Sequence, residues 1–468
     1  MFPTLINTQN VRNMSKMFYG CENLREIDIS HFDVRNIEDF SYMFYGCKSL
    51  ISIDFSNFNA TNLNSMDSIF KECSSLKSLN FSNFNIGKVK SLNNIFPNLE
   101  NNKIEYINMS NFQADKIEDI SKLFRDFRNL TILDFSNLKA PLIQYADSLF
   151  WNCISLKIVY FGNYFISNNL ISISSLFYNC ENLVSIDLSM IETNNIKYMD
   201  SMFFGCKNLI YLDLSNFITK SCISMSSIFK NCWSLKSLKL QNINTANVES
   251  MFEMFSDCRS LMSIDLSNFN TTNVILMDYM FSNCHSLVSV NLSNLNTTNV
   301  EFMEYMFSNC HSLISIEISN FNTSQVTYMN NMFENCQSLK FIDISNFDTS
   351  KVKDMSYMFS NCQLLASIDL YNFNTINVEN MQNMFSNCQS LTSIDLSYFN
   401  TTIIKDMDFM LYYCPSLNYI DISSFNTRLD SIDLLNFESK NGTIKINKNF
   451  LEKLKVKPPV NWTIITDN

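Results

Sequence analysis

Glycine and proline are scarce in this chain, at six residues each among 468, where ordinary proteins hold roughly 7% and 5%. A chain this long must turn often, so other residues make the turns, and the abundant asparagine, which tolerates the left-handed backbone, is the candidate. Charge is also thin, at 17% of residues with a formal net charge of −11. Nucleic acid is therefore not an expected partner, because phosphate binding needs clustered Lys and Arg. No window approaches about 18 uninterrupted apolar residues, so no membrane span is expected. The opening "MFPTLINTQNVRNMSKMF" lacks the basic stretch and apolar run of a signal peptide. No hydrophobic anchor tail stands at the other end. What is plentiful is apolar material: 46% hydrophobic residues, with 41 Phe and 25 Met. This supplies a large core and excludes disorder.

The sequence repeats. Cys206, Cys232, Cys258, Cys284, Cys310, Cys336, Cys362, Cys388 and Cys414 follow one another at 26-residue intervals. Cys21, Cys47 and Cys73 keep the same interval, and Cys153 and Cys180 follow with a one-residue insertion. Leu99, with two extra residues after it, and Phe127 fill the slot where the cysteine is missing, giving sixteen units over residues 1–426, irregular near 97–170. Around Cys258 the apolar slots are Leu261, Ile264, Leu266, Phe269, Val274, Met277, Met280 and Phe281. In "SIDLS", Ile264 and Leu266 alternate with Ser263, Asp265 and Ser267, the pattern of a half-buried strand. Met277, Met280, Phe281 and Cys284 fall at i, i+3, i+4 and i+7, the stripe of a short helix, with Ser282 and Asn283 facing water. Between them "SNFNTTNV" supplies turn and cap residues.

A unit of this kind buries its apolar face only by stacking on its neighbours. The spacing L-x-x-I-x-L-x-x-F is that of a leucine-rich repeat. The expected fold is an α/β repeat, a solenoid with a parallel β-sheet on one face and short helices on the other. The motif M-x-x-M-F-x-x-C-x-S-L-x-S-I-D-L-S-N-F resembles the BspA-like leucine-rich-repeat surface proteins, over about nine-tenths of the chain. The resemblance implies a cell-surface or secreted, non-catalytic module for adhesion and for contact with a host or matrix surface, and it carries no catalytic residues with it.

The residues that invite chemistry read as core or corner. Every cysteine, Cys222 included, occupies an apolar slot, so reduced and inert thiols are expected. His285 and His311 follow their cysteines at a position that other units fill with Arg259, Gln337 or Gln363, a solvated corner lacking a third metal ligand. Neither a catalytic residue, a metal site nor a cofactor is expected.

The exposed side of the strands is the candidate binding surface. Glu317, Asp343, Asp369, Asp395 and Asp421 occupy one slot in five successive units. At ~5 Å spacing such carboxylates repel, so raised pKa values are expected unless a cation or basic partner lies along them. The row is read either as a concave strip for a basic protein partner or weak Ca²⁺, or as a solvated face kept acidic. Phe341, Tyr371, Tyr398 and Tyr419 lie beside it as contact residues. Asn59, Asn270, Asn296, Asn322 and Asn400 share one slot inside N-x-[S/T] sequons, though Asn and Thr there also serve as turn formers. Residues 427–468 read as a C-terminal cap with a lysine cluster. The chain starts in mid-unit, which suggests that Met1 is not the natural start. A protein-binding solenoid at the cell surface is the expected function. An intracellular, cytoplasmic scaffold is the alternative, resting on the free cysteines and the absent signal peptide.

Overall fold

The computed structural model describes residues 7–92, 94–96, 102–162, 169–436, 438–439 and 441–467. Met1, Pro97, Leu99, Asn101 and Asn163 lie outside them. The chain divides into two compact units: Met1–Cys222 with Ser237–Ile243, and Ile223–Lys236 with Asn244–Asn468.

In the first unit, β1 (Ser52–Asp54), β2 (Ser78–Asn80), β3 (Tyr106–Asn108), β4 (Ile132–Asp134) and β5 (Ile158–Tyr160) form a parallel sheet in chain order. β6 (Tyr211–Asp213) and β7 (Ser237–Lys239) form a parallel pair. Ser52 lies opposite Ser78, but Ser78 lies opposite Tyr106, 28 residues on. The two extra residues are thus absorbed outside the strands. Register is held because a one-residue slip would turn Leu79 and Ile107 out of the core.

In the second unit, β8 (Ser263–Asp265) pairs with β9 (Ser289–Asn291), and β10 (Ser315–Ile316) with β11 (Phe341–Ile342). A four-stranded parallel sheet follows: β12 (Ser393–Asp395), β13 (Tyr419–Ile422), β14 (Gly442–Asn447) and β15 (Trp462–Asp467). The alternation read from "SIDLS" is present, with Ile264 and Leu266 buried and Ser263 and Asp265 exposed.

The expected helices on the opposite side are absent from the described residues. The single α-helix there is α1 (Lys448–Lys453), in the C-terminal segment and N-capped by the Asn447 side chain. The stripe Met277, Met280, Phe281, Cys284 is a run of tight turns. The amides of Met280, Ser282 and Cys284 close i→i+3 turns onto Met277, Tyr279 and Phe281. The amides between them, Tyr279, Phe281 and Asn283, donate to Glu304, Met306 and Ser308 of the next coil. No amide remains for an i→i−4 bond, and Tyr279 (φ 58) and Asn283 (φ 61) are left-handed. Gly20, Gly46 and Gly205 fill the same slot as Asn283 at φ 71, 73 and 72, which is why the few glycines stand there. Ser282 and Ser308, expected in water, are buried between stacked turns.

Apolar side chains stack coil on coil. In the second unit Phe255, Phe281, Phe307, Phe333, Phe359 and Phe385 form one ladder, with ring centroids 5.3–5.6 Å apart in successive pairs. Polar side chains join the coils as well. Thr297 Oγ1 donates to the Asn322 carbonyl (2.9 Å) and accepts from the Asn322 amide (2.8 Å), and Thr271 and Asn296 repeat this one coil earlier. In the first unit, where Ala60 holds that slot, the backbone of the two coils pairs directly, Ala60 N–H to the Asn85 carbonyl. Asn309 Nδ2 donates to Asn283 (2.8 Å) and Asn335 Nδ2 to Asn309 (2.7 Å). The asparagines therefore serve as left-handed turn residues and as rungs between coils.

The cysteines occupy this core as thiols outside any disulfide, all buried except Cys21. Cys21 departs from the expectation of a core position. Buried thiols of the repeat have a polar task that the apolar slot concealed: Cys284 Sγ donates to the Phe255 carbonyl (3.1 Å), Cys310 to Phe281 (3.2 Å) and Cys336 to Phe307 (3.2 Å). Burial pushes the Cys47 thiol up to about 11 and Cys73 to about 12, so the nucleophilic thiolate is suppressed. Maleimide is expected to label Cys21 alone in the folded protein and all fifteen cysteines after denaturation, a difference read by intact-mass spectrometry.

Candidate partner-binding face

The side chains that leave the strands opposite the core line one face of each unit. Of the acidic row, Asp395 lies directly opposite Asp421 in the pairing of β12 with β13. The chemistry differs from expectation. The four aspartates are turn formers, each accepting the amide two residues on: Ser345 onto Asp343 (3.1 Å), Tyr371 onto Asp369 (3.0 Å), Ser397 onto Asp395 (2.9 Å) and Ser423 onto Asp421 (3.2 Å). These bonds favour the charged form. The Ser345 hydroxyl and amide hold Asp343 below the usual carboxylate range, where repulsion was expected to raise it. Burial works upward at Asp421, but the Ser423 bonds and Lys445 (3.2 Å) outweigh it, and that carboxyl too is lowered.

Exposure sorts the nine predicted contact residues. Glu317, Asp369 and Asp395 are exposed and Asp343 is half-buried, whereas Asp421 is buried, spent on Ser423 and Lys445, and unavailable to a partner. Phe341 and Tyr371 are each 63% exposed and Tyr398 is 56% exposed, with the two tyrosine rings edge-to-face at 4.6 Å. Tyr419 is half-buried, with Lys445 over its ring at 5.6 Å. The row presents one carboxylate per coil. Among the described residues no group of three or more His, Cys, Asp or Glu side chains is placed to hold a metal, so the weak Ca²⁺ reading lacks a convergent set of oxygens. His285 and His311 stack at 4.7 Å as half-buried rings rather than fully solvated ones, and burial lowers the His285 pKa.

Two features of this surface escaped the sequence reading. Met262, Val288 and Ile314 stand exposed in three successive coils, one residue before the strand. The periodic slot containing them was legible, but other units place Lys340 or Thr392 there, which hid its apolar run. On the strand face of the first unit a groove of about 520 Å³ is lined by Glu26, Asp28, Asp54, Asn80 and Tyr106 among others. Asp28 and Asp54 occupy the slot of the acidic row, so the same periodicity points to them. The sequon side chains are committed to turns, with Asn270 Oδ1 accepting both the amide (3.1 Å) and the hydroxyl (2.8 Å) of Thr272. No helix among the described residues is long and apolar enough to cross a membrane.

A family model described as DUF285, Mycoplasma protein of unknown function, matches residues 4–108, 79–182, 171–290, 223–342, 277–385 and 329–443 in overlapping copies. No curated protein sequence matches the chain. Among solved structures, a leucine-rich cell surface protein from Faecalibacterium prausnitzii is 16% identical, over 68% of this chain and 82% of that one, with a TM-score of 0.39. A leucine-rich-repeat protein from Bacteroides ovatus is 14% identical over 89% and 92%, with a TM-score of 0.37. An internalin from Listeria monocytogenes is 16% identical over 79% and 87%, with a TM-score of 0.22.

Proposed function

The chain belongs to the DUF285 family of BspA-like leucine-rich repeats, and on that premise we propose that it is a non-catalytic adhesion or recognition module at the cell surface. Its partner is a protein or matrix surface that presents basic groups to the strand face of the second unit. The observation that carries this reading is the juxtaposition of exposed Phe341, Tyr371 and Tyr398 with the carboxylates of Glu317, Asp343, Asp369 and Asp395 on one solvent-facing strip. Large aromatics give contact area at low entropic cost, and ionised acids steer a basic partner and fix its register. Asp343 is held ionised by its own turn, so the charge is in place before a partner arrives.

The test uses beads coated with the protein and offered to host cells and to immobilised matrix proteins. Phe341→Ser with Tyr371→Ser and Tyr398→Ser is expected to abolish attachment while leaving the melting curve within about 0.5 kcal/mol of wild type, since the three side chains are exposed. Raised salt is expected to slow attachment. Attachment unchanged in the triple variant sinks the reading.

The fourteen buried cysteines, none in a disulfide, favour a second reading, an intracellular scaffold using the same face. Surface biotinylation of intact cells separates the two: labelling confined to lysed cells selects the scaffold.

A further inference from the structure

The turn side of the second unit stacks two acids in successive coils. Asp278 and Glu304 occupy one slot in successive coils, and the next two coils hold Asn330 and Ser356 there. Asp278 Oδ1 is buried and has no hydrogen-bond partner. The preceding coil presents Glu253, which is itself engaged by Ser227 (3.1 Å) and Lys230. The following coil presents Glu304, with Asp354 two coils further on. The Tyr279 and Tyr305 rings stack over the same turns at 4.5 Å, and the Tyr279 amide donates to the Glu304 carbonyl at 2.8 Å. Lys230 is ion-paired with Glu253.

Coil stacking therefore fixes Asp278 and Glu304 as neighbours regardless of their charge. A buried carboxylate oxygen without a donor is tolerable on a neutral acid and costly on an anion. We infer that Asp278 and Glu304 form a proton-binding pair that tightens these coils in mild acid and loosens them at neutral pH. Burial, with Glu253 adding to it, pushes Asp278 up to about 6, and burial together with Asp278 raises Glu304. The folded chain thus holds a proton that the unfolded chain releases near 3.8. The stabilisation is complete below that value and is lost as pH rises through about 6.

The test is made on the full chain between pH 7.5 and 5, above the range in which the lowered carboxylates titrate. The melting temperature is expected to rise by a few degrees on acidification. Amides in 276–309 are expected to gain hydrogen-exchange protection after correction for the intrinsic rate. Asp278→Asn combined with Glu304→Gln is expected to raise the melting temperature at pH 7.5 and to remove the excess slope. A slope unchanged in the double variant, or an Asp278→Asn protein that melts below wild type at pH 7.5, overturns the inference.

Discussion

Truncation of Phe307 to alanine is expected to lower stability by about 3–5 kcal/mol, the usual range for emptying a buried aromatic site. Phe307 is fully buried and lies between Phe281 (5.5 Å, 6°) and Phe333 (5.6 Å, 5°). Its backbone is tied to the following coil as well: its amide donates to Met332 (2.9 Å) and its carbonyl accepts the Cys336 thiol (3.2 Å). The loss thus falls on two coil interfaces at once. Solenoid stability is close to a sum of such nearest-neighbour interfaces, so the variant is expected to do more than shift the urea midpoint. The chain should come apart at the weakened coil, with circular dichroism and tyrosine fluorescence no longer tracing one transition. Met262→Ser, one coil pair away but 61% exposed, serves as the control and is expected to stay within about 0.5 kcal/mol of wild type. A single coincident transition with an unchanged midpoint in the Phe307 variant contradicts this account of the core.

The second large effect is polar. Thr297 is buried, and its hydroxyl serves both the carbonyl and the amide of Asn322. Thr297→Val keeps the shape and removes both bonds, leaving two backbone groups unpaired between coils. At about 1–3 kcal/mol for each group, a loss of about 2–6 kcal/mol is expected from the denaturation midpoint, with Thr297→Ser retaining most of the wild-type value. In the first unit Ala60 holds the equivalent slot without loss because Ala60 and Asn85 bond backbone to backbone (2.9 Å). The hydroxyl is thus an inserted rung. A Val variant as stable as the Ser variant shows that the coils close up to restore direct pairing.

Much of this fold was legible because core positions recur. The slots of Leu261, Ile264, Leu266 and Phe269 give the strand and its inward face, and each is buried where the alternation places it. The short helix was misread for a physical reason. Two successive i→i+3 turns bury Met277, Met280, Phe281 and Cys284 at the same offsets as a helical stripe, so periodicity alone does not separate them. The distinguishing mark was composition: Asn283 shares its slot with Gly20, Gly46 and Gly205, residues suited to positive φ. The acidic row was also half legible. Asp-x-Ser is a turn signature in its own right, and the turn bonds explain why Asp343 is lowered rather than raised. The partner was beyond reach because exposed positions such as Phe341 and Tyr371 break the repeat without imposing another pattern. The Cys284 thiol's bond to Phe255 was hidden for a related reason: the slot also accepts Phe127, so it reads as apolar.

The rungs between coils join residues about one repeat apart, as in Asn309 to Asn283 and Thr297 to Asn322. In the asparagine ladder donor and acceptor are the same residue type displaced by one period, and the Thr–Asn rung recurs in successive coils, so the top of one regular coil fits the bottom of another. A gene encoding such a chain can gain or lose whole 78-base segments by unequal crossing-over, and the joint formed in the protein is the same joint found at every other coil. Length is then free to drift, while the exposed residues of each copy diverge under separate selection.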